Sequence, residues 1–190
     1  MIYNTLVIGL GQIGMDYDFD ASPNELITTH AQALDFHNGF NLAGGVDVDE
    51  QTRQRFTEKF GKPVFSNHID ALNELQADIA VISVPTEFHL TILEDILREY
   101  TPKMVLVEKP LSYRLLEAKK ILEIAASNNQ NIAVNYFREY EPIYSDISSK
   151  IKDGLIGFPL KFVVHYTKGI INNGSHFIKY ISNILGDFIN

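Results

Sequence analysis

Short apolar runs alternate along this chain with longer segments of helical period. The runs are Tyr3–Ile8, Phe40–Val46, Ile79–Val84, Lys103–Val107 and Asn131–Val134, with a weaker one at Pro63–Phe65. Between them, apolar side chains recur at three- and four-residue spacing, which predicts helices over His30–His37, Glu50–Phe60, Asn67–Leu75, Thr86–Tyr100 and Ser112–Asn128. Asn67 and Ser112 stand where helix N-caps belong, and Gly39 and Gly61 where C-caps belong. The runs are rich in Val, Ile and Leu and do not alternate with polar residues. That is the pattern of parallel strands covered on both faces. Repeated β-α-β order of this kind predicts an α/β fold, a doubly wound parallel sheet of Rossmann type. No repeat of solenoid period and no low-complexity linker interrupts it.

The first run leads directly into Gly9-Leu10-Gly11-Gln12-Ile13-Gly14. A strand followed by G-x-G-x-x-G is the arrangement that lets a backbone receive a dinucleotide pyrophosphate. Gly9 permits the tight turn out of the strand, Gly11 lets phosphate oxygens approach, and Gly14 lets the next helix pack close. The amides that follow, with the positive end of the helix dipole, hold the anion. This makes Gly9, Gly11, Gln12, Ile13 and Gly14 candidate cofactor contacts.

An acidic residue at the end of the second strand reads the adenosine ribose in such folds. Asp47, closing Ala43-Gly44-Gly45-Val46-Asp47, fits that role, although a helix cap or turn residue looks the same in sequence. A carboxylate there repels a 2′-phosphate, so NAD is expected over NADP. The interval from Gly14 is 33 residues (47 − 14), against about 20 in the usual fingerprint. The excess lies in the acidic stretch 15–24, inserted before the first helix resumes. Asp16, Asp18 and Asp20 alternate there as in a cation loop, but no glycine turn and distal Glu follow. They are read as a solvated loop, and no metal site is expected.

Composition removes several function classes. A net charge of −8 offers no basic face for nucleic acid or an anionic membrane. The absence of cysteine excludes disulfides, thiolate nucleophiles and cysteine metal sites. The apolar N-terminal run is short and lacks a basic flank, so no secretory signal is expected and a cytoplasmic location is. A length of 190 residues suffices for one core and part of a second.

Two further strand ends carry candidate chemistry. Val107-Glu108-Lys109-Pro110-Leu111 closes the fifth strand and Ser83-Val84-Pro85-Thr86-Glu87-Phe88-His89 the fourth. Ligands of open α/β sheets bind at that edge. Taken alone, Glu108 and Lys109 also read as a solvated charge pair, and Thr86 as a helix cap.

Together these motifs resemble the Gfo/Idh/MocA oxidoreductases, the family of glucose-fructose oxidoreductase and inositol dehydrogenase. The likeness rests on Gly9-x-Gly11-x-x-Gly14, Val84-Pro85-Thr86-x-x-His89, Glu108-Lys109-Pro110, Asn135-Tyr136-Phe137-Arg138, Gly154-Leu155-Ile156-Gly157 and Asn173-Gly174-Ser175-His176-Phe177-Ile178, in that order. It implies hydride transfer between NAD(P) and a hydroxyl carbon of a sugar, cyclitol or sugar-nucleotide substrate. Lys109 would place its ammonium where an alkoxide-like oxygen develops. His176 would take the hydroxyl proton, its unperturbed pKa being near neutrality. Pro85, Thr86, His89, Glu108 and Lys109 itself, near the nicotinamide, would join the cofactor set. His30, His37, His68 and His165 carry no such pattern and are read as structural or surface groups.

Two positions depart from the family's usual pattern. Asn172 stands where many members have Asp, four residues before the histidine, and Lys179 stands where an acidic residue follows it. Asn172 can still bond a substrate hydroxyl but cannot take a proton. A non-catalytic NAD-binding module is therefore the alternative function.

The resemblance also divides the chain into a Rossmann domain over 1–135 and the start of an α+β substrate domain over 136–190. The second is expected to hold a helix over Pro142–Asp153, a strand over Leu160–Thr167 and a helix over His176–Leu185. That strand would be an unpaired edge. Ile170, Ile171, Phe177, Ile178, Ile181, Ile184, Leu185, Phe188 and Ile189 are too apolar for a free tail. They are expected to pack on the first domain or to form a homo-oligomer, in a chain truncated in its second domain.

Overall fold

The computed structural model describes residues 1–157, 161 and 163–185. The chain divides into two compact units, one over Met1–Val134 and a second beginning at Asn135.

The first unit is built on a six-stranded sheet. Its strands are β1 (Tyr3–Ile8), β2 (Phe40–Val46), β3 (Val64–Phe65), β4 (Ile79–Ile82), β5 (Met104–Glu108) and β6 (Ile132–Asn135). The spatial order is β3-β2-β1-β4-β5-β6, and the β1–β2, β1–β4, β2–β3 and β4–β5 pairs are parallel. This is the doubly wound Rossmann order, in which the chain leaves β1 for one edge and returns beside it as β4. The helices between are α1 (His30–Phe36), α2 (Glu50–Phe60), α3 (His68–Leu75), α4 (His89–Glu99) and α5 (Leu115–Ser127).

Both faces of the sheet are covered, which accounts for the non-alternating strands. Leu6, Ile8, Ala80, Ile82, Val105 and Val107 point to a core shared with Leu72 of α3, Leu93 and Ile96 of α4 and Ile121 of α5. Val7, Leu42 and Val81 face the other way, onto Ala31 of α1 and Phe56 of α2 with Leu10 and Met15. Fully buried side chains of this size contribute about 1.5–3 kcal/mol each before entropy is subtracted. The sheet edge above β1, β4 and β5 is therefore a rigid platform.

The caps settle the helix ends. Asn67 accepts from the amides of Ile69 and Asp70 and starts α3, and Gly61 ends α2 in the left-handed region at φ 63°. Two expected caps are corrected. Helix α5 begins at Leu115 after Arg114. Ser112 instead donates to Glu117 Oε2 at 2.6 Å and accepts the Arg114 amide at 3.0 Å, shaping the turn before the helix. Helix α1 ends at Phe36 with His37 as its cap, so Gly39 belongs to the turn into β2. Thr86–Phe88 forms a separate 3-10 turn before α4.

The inserted acidic stretch is spliced into a helix. The Met15 amide donates to Gly11 O, and the next steps of the same spiral come from His30 and Ala31, whose amides donate to Ile13 O and Gly14 O at 3.0 Å each. Residues 15–29 thus leave and rejoin one helical path. The expectation of a solvated loop is corrected at Asp18, which is 2% exposed. Its carboxylate accepts from the Thr28 amide (2.6 Å), the Thr29 amide (2.9 Å) and the Thr29 hydroxyl (2.6 Å). Asp16 pairs with Arg55 at 2.8 Å, and Lys59 donates to the carbonyls of Asp18 and Phe19. These bonds pin the base of the excursion.

The second unit contains a 3-10 turn at Phe137–Tyr140, α6 (Pro142–Lys152), a π-helical turn at Ile170–Gly174 and α7 (Ser175–Leu185). Tyr144 of α6 and Tyr180 of α7 pack ring to ring at 4.3 Å. The strand expected over Leu160–Thr167 is not formed at Val163–Thr167, and Leu160 and Phe162 lie outside the described residues. A lone strand has no ladder to hold it. Of the apolar C-terminal residues, Ile170, Ile171 and Ile178 are exposed, and Phe177, Ile181 and Ile184 are half-buried. Phe188 and Ile189 lie outside the described residues. Among the described residues, no helix is long and apolar enough to cross a membrane.

Candidate functional site

The chain turns sharply where β1 ends. Gly9 takes φ +95°, and a Cβ there would stand 2.7 Å from the Val84 amide nitrogen and 2.8 Å from the Ser83 carbonyl carbon. Only glycine suits both the dihedral and the approach. The close neighbour is the end of β4, where Ser83 Oγ donates to Gly9 O at 2.8 Å. A methyl group at Gly14 would stand 2.1 Å from Gly9 O, so the return of the chain over its own turn needs a bare Cα.

Gly11 differs from both. It is exposed, and a Cβ there would meet no atom within 4 Å. Among the described residues, the amides of Gly11, Gln12 and Ile13 donate to no protein acceptor. Successive undirected amides beside an open glycine form a cradle for an anion. The residues present therefore fit a dinucleotide pyrophosphate. The side chain of Gln12 accepts from the Tyr17 hydroxyl at 2.9 Å.

Asp47 directly follows β2 beside this turn. Its Oδ2 accepts the Leu10 amide at 2.8 Å, and its Oδ1 accepts the Asp49 amide at 2.9 Å. Asp47 is thus fastened to the glycine turn, a link that nothing in the sequence announces. Asp49, not Asp47, caps α2 by accepting the Thr52 amide at 2.7 Å. Arg53 spends its guanidinium on the carbonyls of Asp47 and Val48, at 2.8 and 2.9 Å.

Beyond β4, Pro85 is exposed and Thr86 half-buried at the start of the 3-10 turn. His89 is 1% exposed, with one ring nitrogen 3.1 Å from Val84 O and the other 3.2 Å from Leu111 O. It ties the Pro85 turn to the segment after β5. At the end of β5, Glu108 is 9% exposed and Lys109 half-buried. Glu108 Oε1 accepts from His30 Nε2 at 2.8 Å, and its Oε2 accepts the Lys109 amide at 3.3 Å.

The pattern around His30 marks it only as a structural or surface histidine, and the structure places it beside Glu108. The two are 78 positions apart, so no local pattern could pair them. Ser83 is likewise joined to Gly9 across 74 positions, beyond the reach of local pattern.

Lys109 belongs to the first unit, and Asn172 and His176 belong to the second. His176 is the second residue of α7 and 6% exposed. Its ring packs edge-to-face with Tyr136 and Phe137 at 5.6 and 5.3 Å between centroids. Asn172 is exposed in the π-helical turn, where its carbonyl accepts from Ser175 Oγ at 2.8 Å. Lys179 stands 3.9 Å from Glu139 and donates to Asn183 Oδ1 at 3.3 Å. Among the described residues, no group of three or more His, Asp or Glu side chains converges as a metal site would.

A doubly wound sheet with this glycine turn at its switch point defines a dinucleotide-binding Rossmann unit. Residues 3–136 match the model of the oxidoreductase family with an NAD-binding Rossmann fold, Gfo/Idh/MocA, and the chain belongs to that family. It is 26% identical over 185 residues to the scyllo-inositol 2-dehydrogenase (NAD(+)) of Bacillus subtilis (strain 168), covering 95% of this chain and 49% of that protein. It is 29% identical over 160 residues to the inositol 2-dehydrogenase/D-chiro-inositol 3-dehydrogenase of Lactiplantibacillus plantarum, covering 81% of this chain and 41% of that one. Among solved structures, an oxidoreductase from Agrobacterium radiobacter in complex with NAD+, L-tartaric acid and magnesium superposes with a TM-score of 0.77 at 17% identity, covering 97% of this chain and 55% of that one. The chain thus spans about half the length of the relatives it matches.

Proposed function

We propose that this chain carries the cofactor half, and the beginning of the substrate half, of an NAD-dependent dehydrogenase acting on a hydroxyl carbon of a sugar, cyclitol or sugar nucleotide. The observation that carries the reading is the open Gly11 cradle beside Asp47, on the sheet edge that also ends in Glu108 and Lys109. The Gly11, Gln12 and Ile13 amides would hold the pyrophosphate. The Asp47 carboxylate keeps lone pairs beyond the Leu10 and Asp49 amides and would accept from ribose hydroxyls. Its charge disfavours a 2′-phosphate, and the nearby Arg53 is committed to carbonyl groups, so NAD is favoured over NADP.

NAD, when bound, supplies a hydride acceptor for the hydroxyl carbon. Lys109 would stabilise the negative charge that develops on the substrate oxygen, a role worth about 2.7–4 kcal/mol for a single well-placed donor. His176 would take the hydroxyl proton onto a ring nitrogen, a form of general-base assistance typically worth about 10²–10⁴-fold. Asn172 would bond a substrate hydroxyl.

The test is turnover of Lys109→Ala against a polyol and sugar panel, with NADH affinity measured in parallel. Loss of turnover with affinity retained supports the reading, and equal turnover overturns the role of Lys109. NADH binding with no hydride exchange against any panel member would favour the non-catalytic module.

A further inference from the structure

We propose that His30 is a positioning residue that sets the Glu108–Lys109 turn against the dinucleotide loop. The inference rests on the function proposed above and names a residue that reading does not use. The contact from His30 Nε2 to Glu108 Oε1 is 2.8 Å long, with the two side chains only 12% and 11% exposed. A charge-assisted bond so sheltered from water is stronger and more directional than a surface pair.

Both ends of the link are themselves fixed. The His30 amide donates to Ile13 O inside the glycine loop, and Asp18 holds the preceding Thr29 through its amide and hydroxyl. On the other side, Glu108 Oε2 accepts the Lys109 amide. A continuous line of bonds therefore runs from the loop that would hold the pyrophosphate, through the imidazole and the carboxylate, to the backbone of the lysine. His30 opens α1, the helix after β1, and Glu108 is the last residue of β5; β1 and β5 are not neighbours in the sheet. The side-chain bond spans the strand between them, so the lysine is placed relative to the cofactor loop as well as to its own strand. The same arrangement gives the 15–29 excursion a consequence, because its clamp at Asp18 sets where the helix resumes and hence where His30 stands.

The experiment compares the native chain with His30→Ala, His30→Gln, Glu108→Gln and Glu108→Ala, and the double variant His30→Ala/Glu108→Ala. Two readouts are taken: the NADH dissociation constant, and the rate at which acetic anhydride modifies Lys109 in cofactor-free protein, followed by peptide mass spectrometry. Lys120, on the exposed flank of α5, serves as the internal reference. His30→Ala is expected to weaken NADH roughly fivefold or more, as loss of a sheltered charged hydrogen bond does. It should also change the Lys109 rate several-fold while the Lys120 rate holds. His30→Gln, whose amide can still donate to the carboxylate, should recover most of both. The double variant should lose no more than the worse single one.

A Lys109 rate unchanged relative to Lys120, or additive effects in the double variant, would overturn the inference. If His30→Ala fails to fold, Glu108→Gln gives the same reading of the Lys109 rate. Failure of the native chain to bind NADH would instead overturn the proposed function, and the Lys109 rate would still decide the linkage.

Discussion

Asp47 Oδ2 and the Leu10 amide meet at 2.8 Å across the gap between the end of β2 and the glycine turn. One carboxylate thereby serves two ends. It satisfies a backbone donor inside the loop, and under the proposed function it also meets the adenosine ribose.

The two roles separate by substitution. Asp47→Asn keeps an oxygen for the Leu10 amide but removes the charge, so the preference for NADH over NADPH should shrink about tenfold, equivalent to about 1.4 kcal/mol. Asp47→Ala also orphans the amide, which adds about 1–3 kcal/mol of destabilisation. Paired titrations with both cofactors and a urea melt of each variant check this. An unchanged NADH:NADPH ratio in Asp47→Asn would remove the ribose role.

Gly11 and Gly14 should fail in opposite ways. A Cβ at Gly11 meets nothing in the protein, so Gly11→Val should leave the melting temperature within a few degrees while abolishing NADH binding. At Gly14 the same atom would lie 2.1 Å from Gly9 O. Gly14→Ala should therefore unfold the chain or cost several kcal/mol, as overpacking and backbone strain do. Thermal melts with and without NADH distinguish the cases.

Burial of Asp18 alone would raise its pKa. The Thr29 hydroxyl and the Thr28 and Thr29 amides, with the Lys59 charge, outweigh that and hold it below the ordinary carboxylate value. Its contribution to stability is thus present above the unfolded value of about 3.9 and is lost as pH falls through the folded one. Asp18→Ala should cost about 2–4 kcal/mol at pH 7, and the gap from the native chain should narrow below about pH 4. Urea melts at pH 7 and pH 3 read the difference; a gap that stays constant would show that the carboxylate charge contributes nothing.

Local pattern carried the elements whose causes are local. The doubly wound parallel sheet could be read because glycine fingerprint, period and β-α-β alternation agree, and the caps at Asn67 and Gly61 follow from a neighbouring residue's needs. What sequence did not reveal was set by contacts distant along the chain. Asp18 looked like one of three solvated carboxylates until Thr28 and Thr29 folded back onto it. His30 could not be told from the other histidines until β5 delivered Glu108. The expected strand near Val163 and Val164 illustrates the converse: alternation alone does not make a strand where, among the described residues, no partner strand bonds it.

Lys109→Ala should abolish turnover, by at least about 10²-fold, while changing NADH affinity little, because the proposed pyrophosphate and ribose contacts follow β1 and β2. Steady-state assays with the best substrate of a cyclitol and sugar panel, alongside NADH titration, provide the check. A matching loss in both quantities would make Lys109 a cofactor ligand and not a stabiliser of the reacting oxygen.

The most direct test of the whole account is a titration of the purified chain with NADH and NADPH, read by nicotinamide fluorescence. The chain has no tryptophan, so protein emission interferes little. The account predicts saturable binding that favours NADH and disappears in Gly11→Val. Absence of saturable binding by either cofactor to the folded native chain would contradict it.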